Sequence, residues 1–334
     1  SAPSVDFKVD WKNAATSQTK GAGLSPFSIG ASGKLAGNRL TVDTSLAGDA
    51  GMSLKGGGSV VITGNRALDM RFNGNLPFAV LGAPLAQQGL VADGVATVNL
   101  QIGGTAAAPV INGTVSTSGA KLVDVRRNLA VNNLAATVTF NGSQAVISRL
   151  SGNLGGGGTI SASGTIGIQP AGGFPADISI KLDKAVYVDG TLVVSTVNGT
   201  VGLRGPIMNA TLSGKLRLDK TSITVPEKLP TSLREVDIRH KNAPRAVLAQ
   251  LRDDGERKPG EKSSVITLDL EIDAPSHIFV RGRGIDAELG GRVTIRGTAA
   301  APIVTGGFIM RRGRMTILNR RLDFSDKSRI TFAG

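Results

Sequence analysis

Apolar and polar residues alternate with a period of two through most of this chain, the pattern that puts successive side chains on opposite faces of a β-strand. In "VDFKVDWK" Val5, Phe7, Val9 and Trp11 share one face, and Asp6, Lys8, Asp10 and Lys12 the other. The same division sets Leu68, Met70 and Phe72 against Asp69, Arg71 and Asn73. It recurs with Ala96, Val98, Leu100 and Ile102, then Ile178, Ile180 and Leu182, then Leu216 and Leu218. The cleanest case opposes Ile266, Leu268, Leu270 and Ile272 to Thr267, Asp269 and Glu271, and Val293 and Ile295 continue the theme. The chain is therefore predicted to be all-β, each strand carrying one apolar face and one wet face. Strands recur roughly every ten to twelve residues, too many for an ordinary sandwich. An elongated sheet of about 25 strands, on the order of 100 Å long at ~4.8 Å per strand, is the simpler solution.

Turn signals punctuate the pattern. Asn73-Gly74, Asn112-Gly113, Asn141-Gly142, Asn198-Gly199, Asp93-Gly94 and Asp189-Gly190 read as two-residue hairpin turns, because Asn-Gly and Asp-Gly readily supply positive φ angles. Asn112, Asn141 and Asn198 also open Asn-x-Ser/Thr sequences, which the turn reading explains without glycosylation. The phrase "GTAAAP" occurs twice, at 104–109 and 297–302. Each copy reads as the exit from one strand and the entry to the next, with Pro206 in a shortened version. Residues 76–90 and 243–253, rich in Ala and Leu, are predicted as one or two short helices. The second runs into a charged Pro/Gly stretch near 253–264 that reads as a flexible loop.

Composition narrows the chemistry. Of 334 residues 45 are glycine and only 4% aromatic, which favours a thin repetitive β architecture over a thick core. No apolar run reaches the ~18 residues of a spanning helix, and no signal-peptide pattern opens the chain. The strand pattern begins abruptly, as in a piece of a longer protein. Cysteine is absent, so thiolate metal sites and disulfides are excluded. The two histidines, His240 and His277, lie far apart without carboxylates at ligand spacing. No Gly-x-Ser-x-Gly elbow is present, and the Gly-rich stretch from Gly155 lacks the Gly-Lys-Ser/Thr ending of a phosphate loop. The reading is a non-enzyme without cofactor or metal. Nucleic-acid binding lacks its stacking aromatics. The net charge of +13 is concentrated at the end, where residues 281–334 carry eleven basic side chains against four acidic ones. Arg311, Arg312, Arg314, Arg320 and Arg321 are thus candidate contacts to an anionic surface or partner, the plainer alternative being a solvated outer face.

The run from Gly284 to Gly334 resembles the C-terminal region of the TamB family, the inner-membrane subunit of the translocation and assembly module, related to AsmA-like proteins. The resemblance rests on Gly284, Leu289, Gly291, Gly297, Thr298, Pro302, Gly306, Arg312-Gly313, Phe324, Ile330 and Phe332. It is best over 191–334 and looser upstream, so that 1–190 is expected as an upstream half of one curled sheet and 191–334 as the C-terminal type of region. The resemblance implies a β-taco, a long sheet curled into a U with an apolar interior. It implies a periplasmic position, an N-terminal inner-membrane helix outside these residues, the outer-membrane barrel TamA as partner, and roles in outer-membrane protein assembly and phospholipid passage.

The residues fit that implication. A sheet with one apolar face and no second layer leaves a groove, and exposed apolar surface on that scale signals a ligand. At ~0.8 kcal/mol per CH₂, two ordinary acyl chains carry on the order of 20 kcal/mol of unfavourable exposure in water. The groove-lining candidates are Leu68, Met70, Phe72, Val98, Leu100, Ile102, Ile178, Ile180, Leu182, Leu216, Leu218, Ile266, Leu268, Leu270, Ile272, Val293 and Ile295. Two other readings stand beside phospholipid transport: a groove that shelters unfolded barrel polypeptides, and a closed β-solenoid of the adhesin or passenger type.

Overall fold

The computed structural model describes residues 4–14, 27–48, 51–87, 89–125, 127–168, 172–190, 192–226, 265–318, 320–325 and 327–334. They form a single sheet of nineteen strands. The first five are β1 (Ser4–Ala14), β2 (Phe27–Ala36), β3 (Arg39–Ala47), β4 (Ser53–Val61) and β5 (Leu68–Pro77). A 3-10 turn, Phe78–Leu81, and a short helix α1, Gly82–Gln87, follow, within the segment predicted as helical. Then come β6 (Leu90–Asp93), β7 (Val95–Gly104), β8 (Pro109–Asp124), β9 (Leu129–Gly142), β10 (Gln144–Leu154) and β11 (Thr159–Gly167). Next are β12 (Pro175–Asp189), β13 (Val193–Pro206) and β14 (Thr211–Thr224). The last are β15 (Thr267–Gly282), β16 (Ile285–Thr298), β17 (Ala301–Ile317), β18 (Arg320–Asp323) and β19 (Arg329–Ala333). The predicted helix at 243–253, the loop near 253–264 and His240 lie outside the described residues.

Each strand pairs with its neighbour in sequence and antiparallel, with β6 extending β7 along β8 and with β18 and β19 sharing β17. The exception is β14–β15, which run parallel, Thr211 beside Thr267 and Thr224 beside Arg281. Parallel partners need a long return connection, and the chain that leaves β14 at one rim re-enters β15 at the other. Among the described residues no pairing joins β1 to the C-terminal strands, so the sheet is open. An open antiparallel meander overturns the solenoid reading, whose coils would stack in parallel. Several of the nineteen described strands are long, reaching 17 residues in β17.

Three of the six predicted turns fall inside strands. Gly74 lies within β5, Gly113 within β8 and Gly199 within β13. The alternation continues through them: Leu68, Met70, Phe72, Gly74 and Leu76 are all half-buried, and Asp69, Arg71, Asn73 and Asn75 between them are exposed. Glycine is required at Gly58 and Gly74, whose φ angles are 147° and 144°. A Cβ there would run into the carbonyl oxygens of Asp69 and Ser53 on the adjacent strand, so these are close backbone approaches rather than turns. Asp189-Gly190 and Asn141-Gly142 do close hairpins. Gly94 is the kink where β6 passes into β7.

Both copies of "GTAAAP" build one hairpin. Gly104 pairs with Pro109 and Gly297 with Pro302, and the Thr105 and Thr298 hydroxyls each accept from a backbone N–H three residues on, at 3.1 Å. Proline enters at the first residues of the next strand, where no ladder donor is lost. Pro206 is not a shortened copy: it ends β13, pairs with Pro175, and a 3-10 turn Ile207–Asn209 follows.

Strands from β8 onward are interrupted by a drifting line of register shifts. These lie at Thr117/Ala120, Leu182/Ala185, Ala274/Ile278 and Glu288/Leu289. Bulges bend and twist strands, and here they sit side by side, so the sheet turns a corner along them. The residues beside the corner are small and enclosed: Ala120 is 1% exposed, Ala185 6% and Ala274 0%. Ile278 and Leu289 pack there with Leu218, Ile223, Val280, Phe308 and Met310, which is where the molecule comes nearest to an ordinary core.

Candidate functional site

The ladders carry one apolar position from strand to strand without a break. Starting at Trp11, the cross-strand partners run Ile29, Leu46, Leu54, Gly74, Val98, Val115, Val138 and Ile147. They continue through Gly164, Ile178, Leu203, Leu212, Leu268, Gly297 and Pro302. Parallel rows flank this one. Met70 faces Ile102 and Phe72 faces Leu100. Ile180 faces Val201, and Leu270 faces Ile295. Leu182, Gly199, Leu216, Ile272 and Val293 form another row. Leu68 lies beside Val60, and Leu218 beside Val197. Ile266 stands just ahead of β15, half-buried. The register thus brings the candidate apolar residues onto one face of one sheet.

That face is the inside of the curl. Among the described residues no second layer covers it, yet Val98 and Val201 are 8% exposed and Val293 6%, while Asn99, Thr200 and Arg292 on the other face are exposed. A flat single sheet would expose both faces alike, so only its own curvature can shelter one. Hydroxyls that fall on the inner face are engaged within the protein. Thr44 donates to the Gly56 carbonyl and Thr117 to the Val95 carbonyl. The Ser195 and Thr221 hydroxyls bond each other at 2.8 Å, both buried.

The outer face is held by ion pairs between adjacent strands. Glu271 receives Lys215 at 3.6 Å and Arg292 at 3.3 Å, Arg292 also reaches Asp273, and Arg296 pairs with Asp269. This lattice straddles the parallel seam β14–β15 and its neighbour β16. On the same outer face, shallow depressions around Gly57 with Asp43, Lys55, Asp69 and Arg71, and around Lys215, Glu271 and Arg292, mix both signs of charge. Among the described residues no cluster has the makings of a metal site.

Three of the five candidate C-terminal arginines are drawn into such pairs, and Arg320 stands exposed on β18. Arg312 donates from Nε to Glu288 at 2.7 Å, Arg314 pairs with Asp286 and Arg321 with Asp323. Arg311 donates to the Pro275 carbonyl at 3.0 Å. Pro275, Ser276 and His277 form the bulge of β15, with His277 exposed at φ 72°. The features that sequence reasoning missed are the bulge line and the inward glycines. The second left a trace in the alternation that runs through Gly74.

A single open sheet, apolar within and charged without, defines a trough rather than a sandwich or a closed barrel. Residues 148–334 match the TamB C-terminal domain. The chain belongs to the TamB family, a transport and assembly module of the cell envelope whose C-terminal domain is periplasmic. No curated protein and no solved structure matches the chain. No helix among the described residues is long and apolar enough to cross a membrane.

Proposed function

We propose that the inner face is a conduit for the acyl chains of phospholipids, which pass along the trough between the inner and outer membranes with head groups in the water at its mouth. The carrying observation is the unbroken apolar row from Trp11 to Pro302, which crosses the parallel seam between Leu212 and Leu268 as smoothly as any hairpin. An acyl chain that slides along such a row exchanges one apolar neighbour for another and never re-enters water, removing most of the exposure cost of ~0.8 kcal/mol per CH₂. A polypeptide cargo fits less well. Its backbone N–H and C=O groups need partners when buried, and the inner hydroxyls of Thr44, Thr117, Ser195 and Thr221 are already engaged. In this reading the chain is the periplasmic part of a protein anchored in the inner membrane by a helix outside these residues. It supports outer-membrane protein assembly together with the barrel TamA, by supplying lipid.

Photo-crosslinking side chains at Leu268 and Leu270, compared with Thr267 and Asp269, test the reading in cells. Mass spectrometry should find phospholipid adducts at the two leucines and few at the outward pair. Adducts at neither leucine, peptide adducts in their place, or equal labelling of all four positions would overturn it.

A further inference from the structure

The inward-facing phenylalanines of the strands follow a rule that charge and hydrophobicity do not require. Phe7 faces Gly33, Phe72 faces Gly56, Phe140 faces Gly113, Phe308 faces Gly291 and Phe332 faces Gly306. Phe27 faces Ala14. The outward Phe279 faces Glu288 instead. At Gly56 the consequence is explicit: a Cβ there would stand 2.6 Å from two ring carbons of Phe72, so the ring occupies the space over the glycine. At Gly33 the Phe7 ring lies in the same place, 2.8 Å from such a Cβ. A ring folded onto a neighbouring glycine covers backbone and does not project from the sheet.

We infer that the Phe7–Gly33 and Phe72–Gly56 pairs set the clearance of the trough along β1–β5: each ring lies over its cross-strand glycine, which keeps the floor low for slender acyl chains, whereas Phe308 and Phe332 meet edge to face at 6.0 Å. This rests on the conduit reading and names the residues that fix what can pass.

Gly56 is suited to the test because all the nearest atoms its Cβ would meet belong to side chains, Phe72 and Thr44, and its φ is not in the left-handed region. Gly56→Ala should lift the Phe72 ring off the floor, and Gly56→Ala combined with Phe72→Ala should lower the obstacle again. A photo-crosslinker at Leu100, the cross-strand neighbour of Phe72 on the other side, reads local lipid occupancy, and one at Leu270 reads it far away. With phospholipid vesicles as the lipid source and the purified chain, Gly56→Ala should reduce the Leu100 adduct about five-fold, leave the Leu270 adduct unchanged, and regain the Leu100 adduct in the double variant. An unchanged Leu100 adduct in Gly56→Ala, or a loss that the double variant does not restore, overturns the clearance role while Leu270 labelling still upholds the conduit. Absence of lipid at both positions in the unaltered chain overturns the conduit itself. If Gly56→Ala unfolds, Phe72→Trp supplies the same obstacle on an intact glycine, and its Leu100 adduct must then fall relative to Leu270.

Discussion

Alanine at position 58 would drive a methyl group into the Asp69 carbonyl of the next strand, and the backbone there holds a φ of 147° that side chains rarely adopt. Gly58→Ala should therefore lower stability by on the order of 2 kcal/mol or more. Gly37, in the β2–β3 turn, has φ 62° and nothing within 4 Å of its would-be Cβ. Gly37→Ala should cost only about 1 kcal/mol, the left-handed penalty alone. Denaturant midpoints at unchanged slope measure both, and equal losses would refute the distinction between a close approach and a turn. At Ala274, fully enclosed beside the β15 bulge, Ala274→Leu should cost ~1–3 kcal/mol by overpacking the corner. Residue-scale legibility ends here. Asn73-Gly74 and Asp189-Gly190 look alike locally, and apolar residues alternate through both, Met70, Phe72 and Leu76 around the first and Val186, Val188, Leu192 and Val194 around the second, so that strand pairing alone decides which of them turns the chain.

Among the elements, the parallel pair β14–β15 is the seam joining two antiparallel stretches, and cross-strand charges reinforce it. Glu271→Gln removes the carboxylate shared by Lys215 and Arg292. Exposed pairs are worth ~0.2–1 kcal/mol each, so the loss at low salt should stay near or below 1 kcal/mol. It should nearly vanish at 1 M salt, where the screening length falls to about 3 Å. A loss of equal size at both salt concentrations would mean that Glu271 acts through packing rather than charge. Strand existence was readable from period two, and the segment predicted as helical at 76–90 holds Phe78–Leu81 and α1. The parallel seam was not readable, because its partners, such as Thr211 and Thr267, stand 56 positions apart and leave no local pattern. The bulges at Lys184 and at Pro275–His277 escaped for a related reason: one inserted residue breaks the alternation in the same way as a loop does.

On the scale of the whole molecule, the trough predicts that damage and function separate by face. Leu268→Arg and Leu270→Asp place a charge on the inner row and should impair lipid passage far more than they lower the melting temperature. Asp269→Ala on the outer face should leave passage intact. Full transport with well-folded Leu268→Arg and Leu270→Asp chains would refute the inward assignment of passage. The single tryptophan offers a direct reporter. Trp11 heads the inner row on β1 and is 47% exposed. Vesicles of phospholipid with brominated acyl chains should quench its emission relative to unbrominated ones, and no difference between them would show that acyl chains do not reach this part of the row.

Much of this was contained in the order of residues. Period-two alternation assigns Leu68, Met70 and Phe72, or Leu268, Leu270 and Ile272, to one face wherever the strand ends up, because the pleat alone enforces it. The charge of the opposite face and the hairpins at both "GTAAAP" copies follow from local chemistry in the same way. Tertiary structure alone decided that the apolar faces join into one row across sixteen strands, that the sheet stays open, and that bulges beginning at Gly119 and Ala120 turn it a corner. Those outcomes depend on register and on which strands become neighbours, and register is set by contacts between residues far apart in the chain, where no local pattern records it.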